Sequence, residues 1–122
     1  MKEAIWLGST LDDLKNFPEE VRSAMGYALH LAQIGEKHHH AKPLTGKQFS
    51  GTAVIEVVEN HDGDTYRCAY TVKIGETLYV LHCFQKKSKR GISTPKQDIE
   101  MILKRLKEAK QLEIDHGCAK QS

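Results

Sequence analysis

Two short turn signals divide the centre of the chain into three strand-like runs. Asp62-Gly63 follows a run over residues 53–59, and Gly75-Glu76 separates the runs 65–74 and 77–86. All three runs are rich in β-branched and aromatic residues, which favour strands. Two-residue connections that contain glycine close β-hairpins. The centre of the chain is therefore predicted to fold as an antiparallel meander of three strands.

Helical patterns lie on both sides of this meander. Ser9-Thr10 offers N-caps for a short first helix, and apolar residues at helical spacing over 21–32 predict a second helix with Gly35 as its C-cap. Thr94-Pro95-Lys96-Gln97 predicts the start of a third helix, because its hydroxyl, proline and glutamine suit a helix N-terminus. With a short first strand over 4–7, the order is β-α-α-β-β-β-α. This order predicts an α+β domain with an antiparallel sheet against helices.

Length and composition predict a single domain over 1–122, in which the polar residues 113–122 form a flexible tail. No apolar run approaches the roughly 20 residues that cross a bilayer, and no signal peptide pattern is visible. The three cysteines lack C-x-x-C spacing, which argues against a disulfide framework or a zinc site. We therefore expect a cytoplasmic protein that contacts no membrane and holds no cofactor or metal.

Charge is distributed unevenly along the chain. Residues 1–66 hold six Lys/Arg against ten Asp/Glu, residues 67–96 hold seven against one, and residues 97–122 hold five against five. The central block therefore carries a net charge of +6, most of it in the run that ends Lys86-Lys87-Ser88-Lys89-Arg90. A basic block next to a rigid strand indicates a site for a polyanion. The alternative is a solvated strand end whose lysines protect a sheet edge.

The turn at Gly75-Glu76 also predicts which residues face each other in the second hairpin. The expected pairs are Thr65 with Lys86, Arg67 with Phe84, Cys68 with Cys83, Ala69 with His82, and Tyr70 with Leu81. Because side chains alternate along a strand, one face is apolar and predicted to be the core: Tyr66, Cys68, Tyr70, Val72, Ile74, Tyr79, Leu81 and Cys83. The other face is predicted to be the working surface: Thr65, Arg67, Ala69, Thr71, His82, Phe84 and Lys86.

The working surface combines groups that suit RNA chemistry. Arg67 and Lys86 can bind a scissile phosphate, Phe84 can stack on an unpaired base, and His82 can move a proton near neutral pH. RNA cleaves when its own 2′-OH attacks the adjacent phosphate, so a protein need only orient, neutralise and shuttle protons. The alternative is that Arg67 pairs with an acidic neighbour and His82 satisfies a local hydrogen bond.

For three other groups of residues, we expect a structural role and give a functional role as the alternative. The run His38-His39-His40 is expected to be a solvated loop, with a metal site as the alternative. Cys68 and Cys83 are expected to be core thiols, with a redox bridge as the alternative. The cations on the last helix are expected to form its wet face, with a binding groove as the alternative: Lys104, Arg105, Lys107 and Lys110.

Several motifs together resemble a known family of proteins. They are Asn16-Phe17-Pro18-Glu19-Glu20-Val21-Arg22, Ala41-Lys42-Pro43-Leu44-Thr45-Gly46, Tyr66-Arg67-Cys68-Ala69-Tyr70, Tyr79–Ser88 with its H-x-F-Q-K-K core, and Thr94–Ile99. In this order they resemble the phage-derived, HigB-like branch of the RelE/ParE toxin superfamily. The resemblance spans nearly the whole chain, and the combination is specific where each motif alone is weak.

The resemblance implies a RelE/ParE-like fold with two N-terminal helices, a curved antiparallel sheet and a C-terminal helix. It also implies a toxin of a type II toxin–antitoxin pair, an endoribonuclease that cuts mRNA on the ribosome without a metal. A HigA-like antitoxin with a helix-turn-helix domain would hold such a toxin inactive. The residues carried over as catalytic are Arg67, His82, Lys86 and Lys87. The residues assigned to RNA binding are Phe84, Lys89, Arg90 and Lys96.

Two other functions remain open at this point. One is a protein-binding toxin, similar to the ParE branch that inhibits DNA gyrase without cutting RNA. The other is a phage-derived domain that binds RNA or a partner and has lost its activity. The F-Q-K-K motif and the basic working surface favour the nuclease.

Overall fold

A computed structural model describes residues 1–49, 51–86 and 94–121, with residues 116–121 described by their backbone alone. The helices are α1 (Thr10–Lys15), α2 (Glu19–Gln33) and α3 (Lys96–Gln121), with a 3₁₀ turn over Lys47–Phe49. The strands are β1 (Glu3–Trp6), β2 (Ala41–Leu44), β3 (Val54–His61), β4 (Asp64–Ile74) and β5 (Thr77–Lys86). They form one sheet in the order β1-β5-β4-β3-β2. The predicted α+β class is confirmed.

The sheet differs from the predicted antiparallel one in two respects. β1 pairs with β5 in parallel, so the sheet is mixed. β2, which pairs with Val54–Val57, lies inside the segment 35–51 that was expected to be a polar connector. Its weak strand signal has a reason, since it is four residues long and contains Pro43. Proline donates no hydrogen bond and is tolerated on an edge strand, which is where β2 lies.

Both predicted hairpin turns are confirmed. β3 ends at His61 and β4 begins at Asp64, so Asp62-Gly63 is the whole connection. The φ angles of Asp62 and Gly63 are 48° and 86°, and two positive values are typical of the turn that matches the twist of a hairpin. Gly75-Glu76 likewise connects β4 to β5. These turns set the register of the whole meander.

The register of the second hairpin is as predicted near its open end, is shifted by one residue in the middle, and is restored at the turn, where Ile74 faces Thr77. Four expected pairs are present, from Thr65 with Lys86 to Ala69 with His82, but Tyr70 faces Val80 and not Leu81. Leu81 is therefore an extra residue in β5, a β-bulge, and a second irregularity lies between Thr71 and Ile74. A bulge moves the residues beyond it to the opposite face of the sheet.

The two irregularities together correct the predicted apolar face. Ile74, Tyr79 and Leu81 pack in the cluster on the α3 side of the sheet, together with Ala69 and Ile102. The remaining predicted residues pack on the α2 side as expected: Tyr66, Cys68, Tyr70, Val72 and Cys83. The α2-side cluster also contains Met25 and Ala28, both fully buried.

Helices cover both faces of the sheet, so α3 also packs on the face that was predicted to be the working surface. The apolar stripe of α3, including Ile102 and Leu106, packs on the face that carries Ala69 and Leu81. That stripe cannot remain in water, and the residues moved by the bulge supply the apolar surface that it buries. Only the part of this face that α3 leaves uncovered is available as a site.

α3 extends through the segment that was predicted to be a flexible tail. It continues past Leu112 to Gln121, and the hydroxyl of Tyr79 donates a hydrogen bond of 2.8 Å to Glu113. Burial, followed by this contact, raises the pKa of Tyr79 to about 12. The first part of the expected tail is thus attached to β5. No helix within the described residues is long and apolar enough to cross a membrane.

Candidate functional site

A cleft of about 370 Å³ opens on the α3 side of the sheet, where β2, β3 and β4 meet the start of α3. Its walls come from motifs that are far apart in the sequence. Lys42, Pro43, Leu44 and Thr45 belong to the K-P-L-x-G motif, Arg67 to the Y-R motif, and Thr94 to the T-P-K-Q motif. The fold therefore brings three separate motifs of the chain to one cavity.

Arg67 forms the centre of a buried polar network at this cleft. It is 3% exposed, and its Nη1 donates to Glu56 Oε1 at 2.9 Å and to Thr94 Oγ1 at 3.4 Å. Thr94 in turn donates to Glu56 Oε2 at 2.9 Å. The carboxylate of Glu56 is thus held by both partners. This confirms the alternative interpretation in which Arg67 pairs with an acidic neighbour.

His82 forms a second network one strand away, on β5. Its Nε2 lies 2.8 Å from Asp98 Oδ1, and its Nδ1 lies 3.4 Å from Nη1 of Arg105. Because a guanidinium only donates, Nδ1 must accept, and the ring proton therefore lies on Nε2 and points to Asp98. Both nitrogens of His82 have partners, as the local hydrogen-bond interpretation expected. The ring also stacks on Phe84, with centroids 4.7 Å apart.

Arg105 links this network to the first residues of the chain. It is 8% exposed and also donates to the carbonyl of Leu81 at 3.0 Å, so its expected place on a wet helix face is wrong. The guanidinium lies against Gly8, where a Cβ would meet Nη2 at 2.6 Å. Gly8 has a φ of 56°, a conformation that glycine adopts without strain. This glycine leaves the space in which Arg105 reaches His82.

The predicted site residues divide into three groups. Arg67, His82 and Phe84 lie on the same face of adjacent strands, with Arg67 opposite Phe84. Lys86 is half-buried at the end of β5, opposite Thr65, and Lys96 is exposed at the start of α3. Lys87, Lys89 and Arg90 lie outside the described residues. Three predicted residues are thus brought together, and Lys86 extends their row along β5.

Sequence reasoning missed the partners that hold these side chains. Glu56 was an unremarked residue of a strand, Asp98 appeared only within a motif, and Arg105 was predicted to lie on a wet helix face. A signal was available, since Asp98 and Arg105 are seven residues apart and flank the apolar stripe of α3, so both lie near its buried side. Lys42 appeared only within a motif, yet it lines the cleft.

The three consecutive histidines lie in a loop, as expected, and two of them are exposed, but their rings form a compact cluster. His38 is 7% exposed, while His39 and His40 are exposed. Adjacent rings lie close, with centroids 4.4 Å apart for His38 and His39 and 4.1 Å apart for His39 and His40. Burial, followed by the proximity of His39, lowers the pKa of His38, so its ring is held neutral. The cluster lies just before β2.

Cys68 and Cys83 face each other across β4 and β5 in the buried α2-side core. Their sulfur atoms are 3.5 Å apart, and both thiols are free. The contact with Cys83, together with burial, raises the pKa of the Cys68 thiol and disfavours the reactive thiolate. The expectation of core thiols is confirmed.

Comparison with protein families gives one result that bears on the whole fold. Residues 12–107, from α1 to the first half of α3, match the family described as Phage derived protein Gp49-like (DUF891). Searches of curated proteins and of solved structures returned no match. The match covers well over half of the chain and includes the cleft and both buried networks. The chain therefore belongs to the phage-derived Gp49-like family, which is related to the toxins of the RelE/ParE superfamily.

Proposed function

We propose that this protein is a HigB-like toxin of a type II toxin–antitoxin pair and that it cuts mRNA on the ribosome. The observation that carries the proposal is the cleft in which Lys42, Arg67 and Thr94 meet, next to the stacked pair His82 and Phe84. Membership of a family related to RelE/ParE toxins supports it. A single-stranded RNA offers the phosphates and unstacked bases that such a surface accepts.

The charges around the cleft favour an anion. Two cations, Lys42 and Arg67, and one carboxylate, Glu56, line it, and Lys86 lies farther along the same face. Because Arg67 is buried and its charge is balanced by Glu56, its role is to hold the wall of the cleft. Lys42, which is exposed, and Lys86, which is half-buried, are then the cations that can contact phosphates of the RNA. Phe84 is half-buried and supplies the stacking surface for a base.

The proposed reaction is transesterification within the RNA. The 2′-OH gives up its proton to water, its oxygen attacks phosphorus, and the bond from phosphorus to the 5′-oxygen breaks. The leaving oxygen takes up a proton from water, so the products are a 2′,3′-cyclic phosphate and a 5′-hydroxyl end. Lys86 would stabilise the negative charge that develops on the scissile phosphate, and Lys42 would hold a neighbouring phosphate of the RNA. His82, whose two nitrogens are engaged, would orient the bound base through its stack with Phe84.

The test is induced expression in a bacterial host followed by mapping of RNA 5′ ends according to their chemistry. We expect growth arrest and new 5′-hydroxyl ends inside translated messages, with fewer ends in untranslated RNA. Intact transcripts with altered DNA supercoiling would instead support inhibition of gyrase. Normal growth with a folded protein would support an inactive domain. New ends that carry 5′-phosphate would contradict the proposed chemistry.

The proposed partner is a HigA-like antitoxin with a helix-turn-helix domain. Three of the seven cations in the block 67–96 follow Lys86 directly in the sequence, which favours an acidic or groove-filling segment as the covering element. Electrostatic steering would speed the association, so its rate should fall as salt is added. Stopped-flow measurement checks this, and a rate that does not change with salt would indicate apolar capture.

A further inference from the structure

The edge of the sheet beside the cleft carries a group of metal-ligating side chains that the proposed nuclease does not use. His38, His39 and His40 each offer a ring nitrogen, and the three ligand atoms lie within 4.8 Å of one another. Zinc–nitrogen bonds of about 2.0–2.1 Å place the ligands of a tetrahedral ion about 3.4 Å apart. The largest observed separation therefore exceeds that of a formed site by at most about 1.4 Å.

A carboxylate from the neighbouring strand orients one of these rings. Nδ1 of His40 lies 2.6 Å from Oε1 of Glu59, whose side chain is 16% exposed. A carboxylate only accepts hydrogen bonds, so Nδ1 of His40 carries the ring proton and donates it to Glu59, and Nε2 keeps the lone pair. Histidines that bind metals commonly donate their second nitrogen to such a carboxylate, which fixes the tautomer and raises the basicity of the ligand. The His40–Glu59 pair already has this arrangement.

The backbone also holds the cluster together. The amide of His40 donates to Nδ1 of His38 at 3.1 Å, so the loop is folded back on its own side chain. His38 is further packed against Tyr27 of α2, with ring centroids 5.8 Å apart. Ligation by His38 would exchange the bond from the His40 amide for a bond to the cation. The other two rings are exposed and need give up no backbone contact within the described residues.

We propose that His38, His39 and His40 bind a divalent cation of the zinc type, with Glu59 as the positioning residue of His40. Neutral imidazoles are ligands for Zn²⁺, Co²⁺ and Ni²⁺ and poor ligands for Mg²⁺. Three protein ligands leave one position for water. The three histidines lie in the connector between α2 and β2, and Glu59 lies on β3, so the bound ion would hold the connector against β3. It would thereby stabilise the position of β2, the edge strand that supplies Lys42 to the cleft.

The histidine cluster lies next to the cleft, so the proposed ion would affect the position of residues that line the cleft. A cavity of about 490 Å³ beside the cluster is lined by His39, His40 and Glu59, and it shares Lys42 and Val58 with the cleft. β2 makes all of its sheet hydrogen bonds to β3, so its position depends on this edge. The metal site itself does not depend on the proposed nuclease function.

The test must separate a built site from the weak binding that any run of histidines shows. Zn²⁺ is titrated into the metal-free full chain by calorimetry, with Mg²⁺ as the comparison ion, and the melting temperature is measured with and without Zn²⁺. We expect one equivalent of Zn²⁺ to bind, Mg²⁺ to show no effect, and the melting temperature to rise. A ligand raises the melting temperature only when it prefers the folded chain to the unfolded one.

Variants identify the ligands. His40→Gln and His39→Gln should each abolish the rise in melting temperature, and Glu59→Gln should weaken Zn²⁺ binding by about 10–100-fold through loss of the orienting carboxylate. His30→Gln, which removes an exposed histidine of α2, is the matched control and should bind as the wild type does. Equal affinity in Glu59→Gln, or binding without a rise in melting temperature, would overturn the proposal, because both indicate a flexible histidine run.

Discussion

On three adjacent strands, one residue faces α3 and the next residue faces α2, and the two surroundings differ in kind. The residues that face α3 are held by hydrogen bonds and charges: Glu56, Arg67 and His82. The residues that face α2 lie in an apolar cluster: Val57, Cys68 and Cys83. Neighbouring residues of these three strands thus form an apolar core on one side of the sheet and a polar network on the other.

This difference indicates that the polar residues on the α3 side are present for a reason other than the stability of the fold. Burying apolar groups is favourable, whereas a buried ion pair often contributes no more than apolar groups of the same size would. Arg67 with Glu56, and Arg105 with His82, are therefore not explained by stability alone. They are explained if the α3 side must present fixed charges and an oriented ring to a ligand.

The largest expected effect is on folding, from loss of Arg67. Arg67→Ala leaves the carboxylate of Glu56 buried with Thr94 as its remaining partner in the network, so the free energy of unfolding should fall by about 3–5 kcal/mol. Urea denaturation measures it. The double variant Glu56→Leu with Arg67→Met should recover most of the loss. A loss below about 1 kcal/mol in Arg67→Ala would show that the pair behaves as an exposed one.

The next effect is on cleavage, from loss of Lys86. Lys86→Ala should lower the rate of RNA cleavage by about 10²–10³-fold, by analogy with the loss of one preorganised donor to a developing negative charge. Because Lys86 lies at the end of β5, urea denaturation of the variant should match the wild type. Lys73→Ala, an exposed cation nearer the opposite end of β4, is the control and should cleave normally. Full activity in a folded Lys86→Ala would remove Lys86 from the site.

A smaller effect separates the two faces directly. Val57 is fully buried on the α2 side, so Val57→Ala should cost about 1.5–3 kcal/mol of unfolding free energy. At a temperature where the variant is folded, its cleavage rate should equal that of the wild type, because the change does not touch the α3 side. If cleavage fell in proportion to stability, the two faces would not be independent.

The smallest effect concerns His82. Its two nitrogens are engaged by Asp98 and Arg105, so we expect His82→Gln to weaken RNA binding about tenfold, the worth of one hydrogen bond and part of an aromatic stack. The dependence of the single-turnover cleavage rate on pH should keep its shape. Loss of a titration in the variant would instead identify His82 as the group that transfers the proton. Asp98→Asn should reproduce the loss of affinity if Asp98 positions the ring.

Local sequence patterns predicted most of the helices, strands and turns, because these elements depend on interactions between residues that are close in the sequence. The turns at Asp62-Gly63 and Gly75-Glu76, and the start of α3 near Pro95, follow from backbone preferences of a few residues. The parallel pairing of β1 with β5 and the edge strand β2 were not predicted, because each depends on a partner far away in the sequence. The bulge at Leu81 leaves no local signal either, and it changed the face of Tyr79.

For the candidate site, the sequence predicted the residues on the strands but not their partners on α3. Alternation along the strands correctly placed Arg67, His82 and Phe84 on one face, since that grouping lies on the open side of the bulge. Their partners could not be predicted, because Asp98 belongs to a helix that reaches the sheet only through tertiary packing. For the same reason the sequence did not predict that α3 packs on part of the working surface.

The sequence by itself determined the class of the fold, the two hairpins, the basic block over 67–96 and the set of residue types suited to RNA, because these depend on neighbours along the chain. The tertiary structure alone decided which charges remain available. It brings Glu56, from the acidic first half of the chain, against Arg67, and it places Lys42 at the cleft. Net charge can be counted along a sequence, but the field at a surface depends on distances and burial, which only the folded chain sets.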